Sequence, residues 1–282
     1  MAIGLPSVRV SYKVAKRIAG LLRDENARGL LDRAEEADPQ MRAVEKIRSR
    51  IGRSADAAFY VVGVATISYQ LSAKGEVHWS LAAEFATNDP LQSLRDFAAR
   101  SPSLRLARQA RLARVEKLAR YYPVFVARYR EYLQNPLHLW KDVAEALGAD
   151  PYSKTVVFSV KMFYYAAKVE GLKVHLPTTI PLPVDRRVCL ISLASRLVEG
   201  YEPTLEGARK LLQREAKLVA DAWSLVGELS GVPPLKIDAL LWLLGGCYER
   251  SPLEALDCAL GLLRPASKAE LSLLEVLLGL SP

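Results

Sequence analysis

The chain has 282 residues, of which 25% are charged and 50% are apolar, and it carries a formal net charge of +8 at pH 7. This length suits one large domain or two closely associated subdomains, and the positive charge makes a polyanion such as nucleic acid the first partner to consider. The three cysteines are widely spaced, with no CxxC pair, which argues against a disulfide scaffold and against a zinc or iron–sulfur site.

The longest stretch without charge is residues 57–73, "AAFYVVGVATISYQLSA". Its polar side chains favour a buried core helix over a membrane span. The amino terminus lacks the apolar segment that is typical of a signal peptide. We therefore expect an intracellular chain, in the cytoplasm or nucleoid, with no membrane contact, no cofactor and no metal site.

Apolar residues recur every three or four positions along nearly the whole chain, and alternating strand patterns are absent. The sequence therefore predicts an all-α protein with short loops. Glycine and proline positions mark the ends of the predicted helices, which are Ser11–Arg33, Pro39–Gly52, Asp56–Ala73, His78–Ala86, Pro90–Arg100, Leu104–Tyr121, Tyr122–Gln134, Leu137–Gly148, Ser153–Gly171, Asp185–Gly200, Leu205–Ser230, Pro234–Arg250 and Ser251–Leu263.

Basic residues occupy every third position between residues 105 and 120. They are Arg105, Arg108, Arg111, Arg114, Lys117 and Arg120. A helix turns about 100° per residue, so this spacing makes the charges spiral around the helix and does not form a single stripe. The pattern fits a solvated helix whose arginine stems cover apolar neighbours, and it fits a phosphate-binding face equally well.

Residues 137–171 read as a helix, a tight Gly-Ala-Asp-Pro turn and a second helix that begins near Ser153. This is the pattern of a helix-hairpin-helix. Amides at the turn and at the start of the second helix can hold a phosphate, because they point outward and have no partner within the helix. An ordinary helical hairpin in a core is the alternative.

Lys154 lies in the first turn of that second helix. An ammonium group there faces the positive end of the helix dipole, which favours the neutral and nucleophilic amine. An exposed lysine that merely tolerates the dipole is the alternative interpretation. Lys161, seven residues later and near the same face, is the competing nucleophile.

Asp185 follows a proline-rich segment and precedes two arginines, in "TTIPLPVDRRVCLIS" (residues 178–192). It is expected to cap a helix by accepting from the amides of Arg187 or Val188. The connection 171–184 reaches about 45 Å when extended, whereas the helix from Lys154 to Glu170 is about 25 Å long. A meeting of Lys154 and Asp185 is therefore permitted.

The order of helix, hairpin, "SKTVVF", "IPLPVDRRV" and following helix resembles the helix-hairpin-helix, Gly/Pro-Asp superfamily of DNA glycosylases. Further matching motifs are "DPQMRAV" (38–44), "ISYQLSAKGEVHW" (67–79) and "GVPPLKIDALLWLLGG" (231–246). These four collinear motifs are similar to the archaeal 8-oxoguanine DNA glycosylase family, whereas the region up to about residue 37 and the tail after residue 250 show no matching motif.

The resemblance implies a role for each matching residue. Lys154 would be the nucleophile, Asp185 its carboxylate partner, and Arg186 and Arg187 phosphate contacts. A pocket for the extruded base would be formed by Gln40, Ser68, Trp79, Phe158, Pro183, Asp238 and Trp242. From the sequence alone, Trp79, Phe158 and Trp242 are equally typical of core aromatics, Gln40 of a surface residue, and Ser68 of a side chain bonded back to a helix carbonyl.

The implied function is a bifunctional base excision repair enzyme, a DNA glycosylase and AP lyase. It would flip out 8-oxoguanine from double-stranded DNA, with single-stranded DNA as a further substrate, excise it through a lysine Schiff base, and cut by β-elimination. The fold would be two helical subdomains with a DNA-binding cleft between them, divided into residues 1–55, 56–184 and 185–282, in a monomer. The alternatives are a glycosylase for another damaged base, a non-catalytic helix-hairpin-helix protein and an all-α interaction module.

Overall fold

The structure, a computed structural model, describes residues 7–248 and 251–281. These residues form fourteen α-helices, a short 3-10 helix and one two-stranded antiparallel sheet. The prediction of an all-α protein is confirmed. Among the described helices, none is both long enough and apolar enough to cross a membrane.

The chain divides into two units. Unit 2 is the continuous segment Pro39–Pro177, and unit 1 combines the described residues before and after it. The predicted divisions after residues 55 and 184 lie further along the chain than the observed ones after residues 38 and 177. The first difference arises because the helix that begins at Pro39 packs on helices of unit 2.

Unit 2 contains seven α-helices and the 3-10 helix Pro102–Leu104. The α-helices are α3 (Pro39–Ile51), α4 (Ser54–Thr66), α5 (Gly75–Phe85), α6 (Pro90–Arg100), α7 (Arg108–Gln134), α8 (Pro136–Leu147) and α9 (Lys154–Val169). Helix α4 is buried on all sides and packs closely on α9. The charge-free stretch around α4 is thus a core helix, as its composition predicts, but the helix ends at Thr66 and a loop follows.

Unit 1 contains the remaining helices and the small sheet. They are α1 (Tyr12–Arg23), α2 (Glu25–Ala37), α10 (Arg186–Ala194), α11 (Leu205–Ser230), α12 (Pro234–Cys247), α13 (Pro252–Leu263) and α14 (Lys268–Leu277), with strands β1 (Arg9–Val10) and β2 (Val198–Glu199). Helix α1 packs on α11, and α2 packs on α12 and α14. The first and last parts of the chain therefore share one core.

In the first half of the chain, two predictions of where one helix is divided from the next are also wrong. The predicted helix Ser11–Arg33 is two helices, because Asp24 ends α1 and its side chain accepts from the amide of Asn26 to cap α2. The two predicted helices on either side of Pro123 are the single helix α7. Phe125, just beyond the proline, is fully buried and packs edge-on against Phe59, so core contacts hold both halves of α7 in line.

Three features of unit 1 have no counterpart in the prediction. Helix α14 and the strand pair β1–β2 were not predicted, and a disulfide joins Cys247 at the end of α12 to Cys258 in α13. The predicted end of α12 at Arg250 lies outside the described residues. The sequence analysis did not predict this disulfide, because the odd number of cysteines argued against pairing. The third cysteine, Cys189, lies outside the disulfide.

Candidate functional site

The turn between α8 and α9 is held together by hydrogen bonds among residues of the hairpin itself. Gly148 adopts a left-handed conformation with φ 59° and ends α8. The indole of Trp140 donates to the carbonyl of Pro151 at 2.7 Å, and the carboxylate of Asp150 accepts from the amide of Tyr152 at 2.8 Å. The amides of Gly148 and Ala149 bond to carbonyls in the last turn of α8. The expectation that the turn amides point outward is therefore wrong for these three residues.

Helix α9 begins with an exposed lysine. Lys154 is its first residue, and the preceding Ser153 makes no side-chain capping bond to the first turn. The next residue, Thr155, accepts from the guanidinium of Arg114 at 3.0 Å. Arg114 also donates to the carbonyl of Thr66 at 2.8 Å. The start of α9 is thus fastened to the end of α4, while the Lys154 side chain remains accessible.

Lys161, the competing nucleophile, has a different environment. Its side chain is fully buried. Its Nζ lies 5.1 Å from the ring centre of Tyr165 and 5.9 Å from that of Phe158, distances that suit cation–π contacts. Two lysines on nearly the same helix face are therefore distinguished by accessibility, which the sequence does not show.

The predicted pocket residues of unit 2 are buried. Trp79 and Phe158 meet edge to face, with ring centres 6.0 Å apart. Gln40 lies in the first turn of α3 and is 3% exposed, so the interpretation of Gln40 as a surface residue is wrong. Ser68 donates to the carbonyl of Val64 at 2.7 Å, which confirms the predicted bond back to the helix.

His78, which the sequence analysis did not single out, is bonded to Ser68. Its Nε2 lies 2.8 Å from the Ser68 hydroxyl, and its Nδ1 lies 2.9 Å from the hydroxyl of Ser103. Burial, and then the positive charge of Arg111, lowers the pKa of His78 from 6.5 to about 3. In the sequence, the only feature that could have drawn attention to His78 is its position directly before Trp79 in the matching motif.

Three members of the basic row on α7 make internal contacts. Arg111 is fully buried and donates to the carbonyls of Ile67, Leu104, Tyr69 and Gln70. Arg114 bonds the ends of α4 and α9, as described above, and Lys117 donates to the carbonyl of Leu147, the last residue of α8, at 2.6 Å. For Arg111 and Arg114 the spiral is neither a solvated face nor a phosphate-binding face, because both guanidinium groups bond to carbonyls of unit 2, whereas the Lys117 side chain is exposed along most of its length.

In unit 1, Asp185 caps α10. One carboxylate oxygen, Oδ1, accepts from the amides of Arg187 at 2.8 Å and Val188 at 3.0 Å, which confirms the predicted cap. Both capping bonds use the same oxygen, so capping leaves Oδ2 uninvolved. The preceding segment has neither helix nor strand, and Pro183 is buried within it.

Arg187 lies against a predicted pocket wall. Its guanidinium carbon is 4.0 Å from the ring centre of Trp242, so it covers one face of the indole. Gly245 makes this approach possible, since a Cβ there would lie 2.5 Å from the Cβ of Arg187. Asp238, one helical turn before Trp242, is 3% exposed. Arg186, the other predicted phosphate contact, is exposed.

The predicted site residues are divided between the units. Unit 2 carries Lys154 and the pocket residues Gln40, Ser68, Trp79 and Phe158. Unit 1 carries Asp185, Arg186, Arg187, Pro183, Asp238 and Trp242. Within residues 7–248 and 251–281, no group of three or more His, Cys, Asp or Glu side chains is arranged to hold a metal ion.

An all-α chain with an accessible lysine at the start of the second hairpin helix, and an aspartate that caps the helix after a proline-rich segment, has the features that the resemblance to the helix-hairpin-helix class of DNA glycosylases implies. Comparison with known proteins narrows this class. Residues 23–273 match the family described as "AGOG: N-glycosylase/DNA lyase". The chain belongs to this N-glycosylase/DNA lyase family.

Individual relatives agree with this assignment. The N-glycosylase/DNA lyase of Aeropyrum pernix is 30% identical over 275 residues, which cover 92% of each chain. That of Pyrobaculum aerophilum is 32% identical over 235 residues, covering 82% of this chain and 85% of the relative. Among solved structures, the 8-oxoguanine DNA glycosylase of Pyrobaculum aerophilum in complex with 8-oxoguanosine matches with a TM-score of 0.69 and 26% identity, covering 92% of this chain and 99% of that one.

Proposed function

We propose that this chain excises 8-oxoguanine from double-stranded DNA and then cuts the strand, with Lys154 as the nucleophile and Asp185 as its carboxylate partner. The substrate is suggested by the complex of the similar glycosylase with 8-oxoguanosine. The observation that carries the choice of nucleophile is the exposure of Lys154 at the start of α9, compared with the complete burial of Lys161.

The chemistry follows from an accessible amine at a helix start. The damaged nucleotide must leave the base stack before its C1′ can be reached. The neutral amine of Lys154 attacks C1′, the bond from C1′ to N9 breaks, and the base leaves with a proton on nitrogen. Opening of the sugar ring gives a Schiff base between Lys154 and C1′. Loss of a C2′ proton then expels the 3′ phosphate.

Asp185 acts electrostatically. Its carboxylate is held by two backbone amides at Oδ1, which fixes its position without a flexible partner. A fixed negative charge stabilises the positive charge that develops on the sugar as the base leaves. Oδ2, which the capping bonds do not use, is the oxygen suited to this role and to accepting a proton from the amine.

The aromatic side chains supply the surfaces for the extruded base. Trp242 has one face covered by Arg187, so its opposite face is the one proposed to stack on the base. Phe158 is braced edge-on by Trp79, which holds its ring in place. Gln40, Ser68 and Asp238 are the proposed hydrogen-bonding groups for the base, and Pro183 is a further proposed base contact.

DNA is held by its phosphates. We propose Arg186 and the amides at the start of α9 as phosphate contacts, because Arg186 is exposed and Ser153 does not cap that helix. The enzyme acts as a monomer, and single-stranded DNA that carries the lesion is a further substrate.

Borohydride trapping tests the proposal. A duplex that contains 8-oxoguanine should form a covalent complex with the wild-type chain and none with Lys154→Gln. Lys161→Gln is the matched comparison, a lysine of the same helix seven residues later. Trapping that survives Lys154→Gln but is lost in Lys161→Gln would show that the nucleophile is misassigned. A wild-type chain that releases no base would refute the glycosylase proposal itself.

A further inference from the structure

A buried chain of hydrogen bonds runs from a predicted base contact into the interior of unit 2. Its members are Ser68, His78, Ser103 and Ser101, all no more than 5% exposed. The four side chains are joined by contacts of 2.8 Å, 2.9 Å and 2.8 Å in that order. No established step of the proposed chemistry uses the three inner members.

The direction of each hydrogen bond in this chain is determined by its Ser68 end. The Ser68 hydroxyl has one proton, and it donates that proton to the carbonyl of Val64 at 2.7 Å. In its contact with His78, Ser68 must therefore accept, so the proton of the imidazole is on Nε2. Nδ1 is then unprotonated and accepts from Ser103, whose own hydroxyl oxygen accepts from Ser101.

The imidazole stays neutral in this environment. Its ring is packed against Phe97, with ring centres 5.2 Å apart, and it is fully buried. The guanidinium of Arg111, which clamps the carbonyls on both sides of Ser68, repels a second positive charge. A protonated His78 would donate from both ring nitrogens. The Ser103 hydroxyl, which donates to Nδ1 when the ring is neutral, would then have to turn and accept.

We infer that His78 is a positioning residue: by donating from Nε2 it holds the Ser68 hydroxyl in the orientation in which its proton goes to Val64, so that Ser68 stays a hydrogen-bond acceptor and recognises an N–H donor on the edge of the flipped base. The inference rests on the proposed function, in which Ser68 contacts that base. With its proton committed to Val64 and one lone pair committed to His78, Ser68 has a single lone pair left to offer.

This polarity suits the proposed substrate. 8-Oxoguanine carries a hydrogen on N7, where guanine presents only an acceptor. An acceptor-only hydroxyl bonds to an N–H group but leaves both partners unsatisfied when it faces another acceptor. A serine free to rotate its hydroxyl would lose this discrimination, since it could donate to guanine and accept from the lesion.

Two conservative substitutions of His78 separate the contacts of its two nitrogens. The amide nitrogen of Gln reaches the place of Nε2 and can still donate to Ser68, whereas the shorter Asn reaches only toward Ser103. We expect His78→Gln to retain most of the single-turnover rate of 8-oxoguanine release, and His78→Asn to lower it about tenfold or more. Discrimination against guanine should fall in His78→Asn as well.

Cleavage at a preformed abasic site separates base recognition from a purely structural role, because that substrate has no base. A structural defect would lower this cleavage as well, whereas a defect in base recognition would not. His78→Asn should lower base release far more than abasic-site cleavage. The double variant His78→Asn/Ser68→Ala should be no slower than Ser68→Ala, since His78 acts through Ser68.

The outcomes of this experiment are distinct. Parallel loss of base release and abasic-site cleavage in His78→Asn, or equal behaviour of the Gln and Asn variants, would overturn the inference and leave the proposed function intact. A wild-type chain that cleaves abasic sites but releases no 8-oxoguanine would instead refute the proposed substrate.

Discussion

His78 couples the stability of unit 2 to pH. Its pKa is 6.5 in an unfolded chain and is lowered to about 3 by burial and by Arg111. The folded state therefore binds the proton more weakly than the unfolded state. Above pH 6.5 the neutral ring has no effect on the pH dependence of stability, and as pH falls from 6.5 toward 3 stability is lost by up to about 1.4 kcal/mol per pH unit.

The comparison with His78→Gln tests this coupling. Gln does not titrate, so the free energy of unfolding of the variant should fall less steeply than that of the wild type between pH 6 and pH 4. The difference between the two slopes should correspond to the uptake of about one proton on unfolding. Urea unfolding at several pH values measures it. Equal slopes for the two proteins would mean that His78 titrates normally in the folded chain.

Local signals in the sequence were sufficient for Asp185 and insufficient for His78. A cap depends on a residue and the two or three amides that follow it, so the Asp185 contacts were predictable from neighbouring positions. The His78 contacts reach Ser68 and Ser103, ten and twenty-five positions away. The burial that separates Lys161 from Lys154 likewise depends on the packing of other helices.

At the scale of elements, α10 and α12 fit together because Gly245 has no side chain. A Cβ at this position would lie 2.5 Å from the Cβ and 2.9 Å from the carbonyl oxygen of Arg187. We expect Gly245→Ala to destabilise the protein by about 1–3 kcal/mol, since backbone must move to admit the methyl group. It should also displace Arg187 from Trp242 and slow base release.

Gly20→Ala is the matched control. Gly20 lies in the interior of α1, is exposed, and has nothing within 4 Å of an added Cβ. Alanine there should stabilise the protein by about 0.5–1 kcal/mol, because glycine is a poor helix former. Chemical denaturation of the two variants should give opposite signs, and a Gly245→Ala protein as stable as wild type would contradict the packing argument.

Helix α7 shows why breaker residues are an incomplete guide. A proline inside a helix costs about 3 kcal/mol, so Pro123 predicted a boundary. The buried residues Val115 and Leu118 before it, and Phe125 and Tyr132 after it, form one apolar face on the core of unit 2. The burial of such side chains contributes about 1.5–3 kcal/mol each, which outweighs the proline.

At the scale of the whole molecule, the net charge of +8 predicts a strong dependence of DNA binding on salt. Each phosphate contact releases counterions, so the logarithm of the binding constant should fall linearly with that of the salt concentration. Arg186→Gln should reduce the slope by about 0.9. Arg209→Gln, which removes a cation already paired with Glu206, is the comparison. Binding that does not change with salt would contradict phosphate contacts altogether.

The basic spiral on α7 shows what charge counting leaves out. Arg111, Arg114 and Lys117 contribute to the net charge, yet all three donate to carbonyls inside unit 2. The sequence predicted a basic chain and the helix that carries these residues. It did not distinguish inward from outward cations, because that depends on which loops end beside the helix.

The placement of unit 2 within the sequence of unit 1 implies an order of events during synthesis. Unit 2 is one continuous segment, Pro39–Pro177, whose internal contacts are complete as soon as that segment exists. The core of unit 1 needs α1 and α2 to meet α11, α12 and α14, which follow more than 160 positions later. Contacts between distant positions form slowly, and domains fold as units while the chain grows.

A growing chain would therefore hold α1 and α2 unpaired while unit 2, with Lys154 already in place, becomes folded. Pulse-labelled hydrogen exchange during refolding should show protection of α4 and α9 before protection of α1 and α11. Simultaneous protection of both sets would refute this order. If the order holds, Lys154, the proposed nucleophile, is in place before Asp185, its proposed carboxylate partner, and we expect the enzyme to gain its reactivity only when the last helices complete the core of unit 1.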